Sequence, residues 1–183
     1  MAIPRKEEGT IEYPCHFTLV AATNPCPCGY FGGEKCNCKE TDVRKYQRKI
    51  SGPILDRIDL QVELNQLTTA ERFSEGSDNE SEGLQRRVQR AREKQRERFN
   101  GDGIPFNAAI PGGKVHDLCA FSSAGFERFK DITDSNDLTT RSVDRLAKVS
   151  RTVADLYDAD EVLPEHLDAA KEFVVGGILR DAY

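Results

Sequence analysis

The sequence has no tryptophan, a single methionine and three histidines. No run of apolar residues approaches the ~18 that a membrane-spanning helix requires. The opening "MAIPRKEEGT" carries no apolar segment of the kind that drives secretion. On these absences the expectation is a cytoplasmic chain with no membrane span and no secretory signal. An excess of positive charge is missing too. The net charge is −5, which excludes a globally basic nucleic-acid binder but leaves room for a local basic face. Nowhere does G-x-x-x-x-G-K-[ST] occur, so no lysine stands ready in a glycine-rich phosphate loop.

What is present is an ordinary composition over 183 residues, 38% hydrophobic and 31% charged. That length gives one domain by default and two small ones at most. Six cysteines in a chain without a signal read as thiols or metal ligands rather than disulfides.

The first half mixes strand and loop signals. "TIEYP" alternates and stops at Pro14, "FTLVAAT" (17–23) is a continuous apolar run, and "IDLQVEL" (58–64) alternates apolar with polar residues. Between them "TDVRKYQRKI" spaces Val43, Tyr46 and Ile50 as a helical stripe. "SEGSDNESEG" (74–83) is a polar loop or hinge. Beyond it the pattern predicts helices over 84–99, 114–121, 124–130, 139–157 and 164–173. The expected fold class is therefore α/β plus all-α, with a boundary around residues 65–83. Two strands are too few for a free-standing sheet. Either they pair with something outside this sequence or the chain is a piece of a larger protein, and the second is the expectation.

Cys26, Cys28, Cys36 and Cys38 form two C-x-C pairs around a glycine-containing loop. Four thiolates close a tetrahedral zinc site, with Gly29, Gly32 and Gly33 giving the tight backbone between the pairs. Structural zinc is expected over 26–38; an iron–sulfur cluster, another metal, or an unligated loop are the alternatives. A closed four-thiolate site has no open position, so it is not read as catalytic. Cys15 and Cys119 are expected to be small buried apolar residues.

"FTLVAATNPCPCGYFG", then "VRKYQRKISGPILDRIDLQVEL", then "RSVDRLAKVSRTVADL" resemble, in that order, the C-terminal part of the Mg-chelatase-like AAA+ ATPases of bacteria. This is the ComM or YifB type, related to magnesium chelatase subunit I and more distantly to MCM helicases. The resemblance implies a partial AAA+ core over 1–75 and a helical linker and lid over 76–183. It implies that Asn24 is the sensor 1 residue, Arg57 an arginine finger acting on a neighbouring subunit, and Arg141 the sensor 2 arginine, with Arg145 in reserve for the same nucleotide contact. It further implies a hexameric ring that binds ATP and Mg in the full-length parent. Such a parent is expected to drive branch migration or unwinding of DNA during natural transformation. This chain, lacking the phosphate loop, is expected to be inactive alone and monomeric.

Each role has a plainer alternative. Asn24 also fits a strand-ending Asn-Pro turn. Arg57 in Asp56-Arg57-Ile58-Asp59 fits a surface salt-bridge turn. On the helix after a Thr139 or Thr140 cap, Arg141, Arg145 and Lys148 fit a solvated basic face opposite the stripe Val143, Leu146, Ala147, Val153 and Ala154. "IPRKEEGTIEYP" resembles the returning part of a pore hairpin, which would put Arg5 and Lys6 near DNA. "LQRRVQRAREKQRERF" sets Arg86, Arg87, Arg90, Arg92, Lys94, Arg96 and Arg98 against Glu93 and Glu97, either a phosphate-binding helix or a charged linker. Two other functions stay open: a chelatase-type ATPase that remodels a protein for metal insertion, and a zinc-stabilised binding module with no motor role.

Overall fold

A computed structural model describes residues 2–5, 9–12, 17–65, 67–69, 73 and 80–175. Two compact units divide the chain, 1–46 and 47–183.

In the first unit, β1 (Ala2–Arg5) and β2 (Gly9–Glu12) pair antiparallel, with Ile3 opposite Ile11 and Pro4 opposite Thr10. Proline sits in β1 without penalty because a two-stranded ribbon leaves one side of each strand unpaired. Residues 17–24 follow without secondary structure and exposed. Tight turns over 25–35 carry Cys26 and Cys28, Cys36 and Cys38 follow directly, and α1 (Glu40–Gln47) comes next. The expected strand at 17–23 is thus not formed, with Phe17 and Val20 at 73% and 89% exposure. The expected strand over 58–64 is not formed either; Leu64 is 90% exposed. The reason is shared. Among the described residues no neighbouring strand supplies a ladder, and an apolar alternation alone cannot hold a strand. In the second segment the N–H of Ile58 is taken up by the Leu55 carbonyl and that of Gln61 by the Phe173 carbonyl, neither of them a strand partner.

The second unit is helical: α2 (Gly52–Leu55), α3 (Glu80–Arg98), two single 3₁₀ turns (Asn107–Ala109 and Gly112–Lys114), α4 (Val115–Leu118), α5 (Ser123–Ser135), α6 (Thr140–Leu156) and α7 (Pro164–Val174). Capping fixes the starts. Ser122 Oγ accepts from the Gly125 N–H at 3.0 Å and Thr139 Oγ1 from the Ser142 N–H at 3.2 Å. Pro164 occupies the first turn of α7, where a missing N–H is harmless.

α6 is the axis of this unit. Leu146 and Ala154 join Ile132, Val162, Leu167, Ala170 and Val174 in one cluster, and Ala147 joins Phe99, Ile110, Val115 and Cys119 in another. Cys119 is fully buried as expected, and burial pushes its thiol up to about 12. Cys15 lies outside the described residues. Gly125 is required where it stands, because a Cβ there would fall 2.1 Å from the Val162 carbonyl oxygen. That close approach seats α5 on the Phe121–Val162 bridge, where Ser122 N–H donates to Val162 O and Val162 N–H to Ala120 O.

A buried ionic network ties α3 to α6. Arg98 grips Asp155 through both terminal nitrogens and also donates to Asn107 Oδ1 at 3.1 Å. Asn107 returns a bond to Asp155 at 2.8 Å. The wholly buried Arg151 pairs with Asp155 at 3.0 Å and donates to the carbonyls of Ala159 and Asp160 at 2.6 and 2.7 Å. Much of the basic helix is spent this way. Lys94 meets Asp158 at 2.8 Å, and Arg87 and Arg92 lie over the Tyr157 and Phe106 rings.

Candidate functional site

Each unit carries one constellation. In the first, the chain turns at Cys26, whose carbonyl accepts from the Gly29 N–H at 3.1 Å. It turns again from Tyr30 to Gly33 and from Gly33 to Cys36. Gly29 sits at φ +82°, the left-handed conformation that glycine alone enters freely. These turns fold both C-x-C pairs back on one another. Cys26 is buried and Cys28 exposed, with Cys36 and Cys38 between.

The sulfurs converge: Cys26–Cys28 are 3.3 Å apart, Cys28–Cys36 3.7 Å and Cys26–Cys36 4.0 Å. All four lie within 4.8 Å of one another. Ligands placed tetrahedrally at the usual ~2.3 Å zinc–sulfur length stand ~3.8 Å apart, so the donor set fits such an ion. The sulfurs also perturb one another's titration. The backbone N–H of Tyr30 and then the Cys26 thiol draw Cys28 down to about 6. For Cys38 the Cys28 N–H pulls down, but the Cys28 sulfur, desolvation and Cys26 together hold it up at about 12. Cys36 is likewise raised, the Cys38 N–H being outweighed by desolvation and its sulfur neighbours. A divalent cation bound here would displace the remaining thiol protons and take the cysteines as thiolates.

Asn24 is exposed, and its amide lies over the first of these turns, Cγ 3.8 Å from where a Gly29 Cβ would stand. It precedes the cysteine loop directly. With residues 17–23 unpaired, it does not end a strand in this structure. Arg5 lies in β1, and Lys6 falls outside the described residues.

In the second unit two arginines of α6 approach the carboxylate that precedes Arg57 in sequence. Asp56 caps the C-terminus of α2, donating its N–H to the Gly52 carbonyl at 2.8 Å. Arg141 Nη1 approaches Asp56 Oδ2 at 3.9 Å, and Thr139 Oγ1 donates to Oδ1 at 3.4 Å. Arg145 Nη2 donates to the Asp56 carbonyl oxygen and lies 3.8 Å from Oδ1, while its Nε is 3.7 Å from Asp59 Oδ1. Arg57 is exposed, its guanidinium folded back onto the Pro53 carbonyl at 2.6 Å. Arg141 is also exposed.

Arg145 was expected on the open, cation-bearing face of α6 and is instead 4% exposed. Helical periodicity cannot register this, because the carboxylates that receive it lie more than eighty residues away in sequence. Burial lowers its pKa, with Asp59 and Asp56 pulling in the opposite direction. Sequence reasoning missed Asp56 as the hub. The signal was its place beside Arg57 in the D-R-I-D run, which reads just as well as a surface turn.

Two family models match the chain. The model described as magnesium chelatase, subunit ChlI, covers residues 1–72, and its C-terminal counterpart covers residues 78–173. An uncharacterized protein of Mycobacterium tuberculosis H37Rv is 35% identical over 175 residues, 96% of this chain and 35% of that protein. Escherichia coli YifB, also uncharacterized, is 32% identical over 89% of the chain and 32% of its own length. Competence protein ComM of Haemophilus influenzae is 30% identical over 87% of the chain and 31% of its own length. The chain thus spans about a third of the length of the curated relatives it matches.

Proposed function

Because the chain belongs to the magnesium chelatase subunit ChlI family, we propose that it supplies the sensor, arginine-finger and lid portion of a ring-forming AAA+ ATPase. The observation that carries this reading is the convergence on Asp56. The turn bearing Arg57 and the helix start bearing Arg141 belong to motifs far apart in sequence, yet Arg141 stands 3.9 Å from Asp56, the neighbour of Arg57, and both guanidiniums are exposed.

In the working ring, Arg57 reaches the nucleotide of a neighbouring subunit. Its planar fork spreads positive charge over the phosphoryl group as charge develops there. Arg141, in the first turn of α6, contacts the phosphates, and Asn24 orients the attacking water. ATP and Mg are held by the phosphate loop of the full-length protein. The core portion runs over 1–75 and the lid over 76–183; this boundary falls between the two matched ranges. The name of the Haemophilus relative, a competence protein, supports work on DNA during natural transformation, with the ring driving branch migration or unwinding.

The four cysteines hold zinc, which supplies the cross-links of a loop with little apolar content of its own. Cys26 anchors this site from the buried side. With no open coordination position it is structural, and no step of hydrolysis involves it.

The experiment is DNA-stimulated ATP hydrolysis by the full-length protein. Arg57→Ala is expected to lower kcat by roughly 10³-fold or more, the usual effect of losing an arginine finger. Wild-type rate in Arg57→Ala, or no hydrolysis by the parent protein under any condition, overturns the motor reading.

A further inference from the structure

Arg145 is the one cation of the cluster that is taken out of water, with 3% of its side chain exposed. A guanidinium is not buried without a partner, since its desolvation is offset only by close opposite charge and hydrogen bonds. Its hydrogen bond goes to a backbone carbonyl, that of Asp56, and among the described residues its Nε and Nη1 have no hydrogen-bond partner. The Asp59 carboxylate stands 3.7 Å from Nε, just beyond bonding range.

What it grips is weak by itself. α2 is a single turn of four residues, far below the length at which a helix holds its own shape. It buries only Leu55, while Ile54 is 52% exposed. Arg57 follows immediately, and its own side chain bonds only back to Pro53 within the same turn. The position of Arg57 is therefore inherited from Asp56, and Asp56 is fixed from α6 by Arg145, with Thr139 and Arg141 adding longer contacts.

We infer that Arg145 is a positioning residue for Arg57: it clamps the Asp56–Arg57 turn to the lid helix α6, so that the finger is carried by the lid and not by the short helix that bears it. This rests on reading Arg57 as the arginine finger. It also takes Arg145 away from the nucleotide, leaving Arg141 as the phosphate contact of α6. A fork that bonds a carbonyl while facing two carboxylates is a task for which lysine is a poor substitute.

Two measurements test it. In this chain, hydrogen exchange at the amides of 54–58, which close the α2 turn, is expected to accelerate about tenfold or more in Arg145→Gln, the mark of a lost local anchor. Arg145→Lys is expected to show a smaller acceleration, and the amides of α7 should not change in either variant. In the full-length protein, Arg145→Gln is expected to lower kcat by ~10–100-fold, as a finger displaced by an ångström would, with KM for ATP little altered.

The decisive arm is the pair: added to Arg57→Ala, Arg145→Gln should cause no further loss of kcat, because it acts only through Arg57. Multiplying losses, or a weakened ATP affinity with kcat intact, overturns the clamp; the second result would put Arg145 on the phosphates. If Arg57→Ala is fully active, the finger reading falls, and the exchange data still decide whether the turn is clamped.

Discussion

The two units are held by opposite means. Residues 26–38 contribute one buried apolar residue, Cys26, and otherwise a set of turns closing on four sulfurs. The helical unit has two apolar clusters that both draw on α6, and a largely buried network of Arg98, Asp155, Asn107 and Arg151. In the first unit the shape of the cysteine loop rests on its turns and on four converging sulfurs, placed where one metal ion would cross-link them. In the second, many weak contacts define the shape, and one carboxylate pairs with both the buried Arg151 and the part-buried Arg98. The difference teaches where each is brittle.

The largest effect is expected from the sulfurs. Apparent zinc affinities of four-ligand sites amount to ~10–16 kcal/mol of folding free energy, far above anything a single contact in the helical unit supplies. Replacing Cys36 and Cys38 together with Ser should abolish bound zinc by elemental analysis and erase amide protection over 26–38. The melting of the helical unit should be untouched. A well-ordered loop without metal would remove the contrast altogether.

Next comes Asp155→Ala. Breaking one member of a buried ion pair typically destabilises by ~3–5 kcal/mol, because the partner charge is stranded, and here two arginines are stranded at once. The expected result is a marked loss in chemical-denaturation stability of the helices with zinc content unchanged. A variant as stable as the wild type would mean that Arg98 and Arg151 reach water or other acceptors.

Much of the helical unit was legible because its signal is local. The stripe Leu146, Ala147 and Ala154, the Thr139 cap and the proline opening α7 all act within one or two turns of their own sequence. The cysteine pairs were legible for the same reason, their spacing being short and their chemistry specific. What escaped is what depends on partners remote in sequence. Arg145 looks like a surface cation until Asp56 arrives from more than eighty residues away. The runs 17–23 and 58–64 have the alternation or apolarity of strands, but a strand exists only with a neighbour, and none is present among the described residues.

The smallest predicted effect concerns acid, and it distinguishes the helical unit by its own chemistry. His166 is 4% exposed in the first turn of α7, and its Nδ1 accepts the Leu163 N–H at 3.0 Å. That bond requires an unprotonated Nδ1, and the helix N-terminus disfavours an added positive charge. Burial lowers the pKa of the ring, Arg151 lowers it further and Glu165 opposes both. The sign of the effect follows. Above the ordinary histidine value of 6.5 both folded and unfolded chains carry neutral imidazole. Below it the unfolded chain takes a proton that the folded chain refuses, so stability is lost as pH falls from there through the lowered folded value. Gln at the same position keeps an acceptor for the capping bond without a titrating group. His166→Gln should therefore match the wild type at pH 7.5 and lose less stability on acidification, read from denaturation midpoints across that range. Parallel pH profiles for the two proteins would show that the ring is free to protonate in place, and that the cap does not depend on its neutrality.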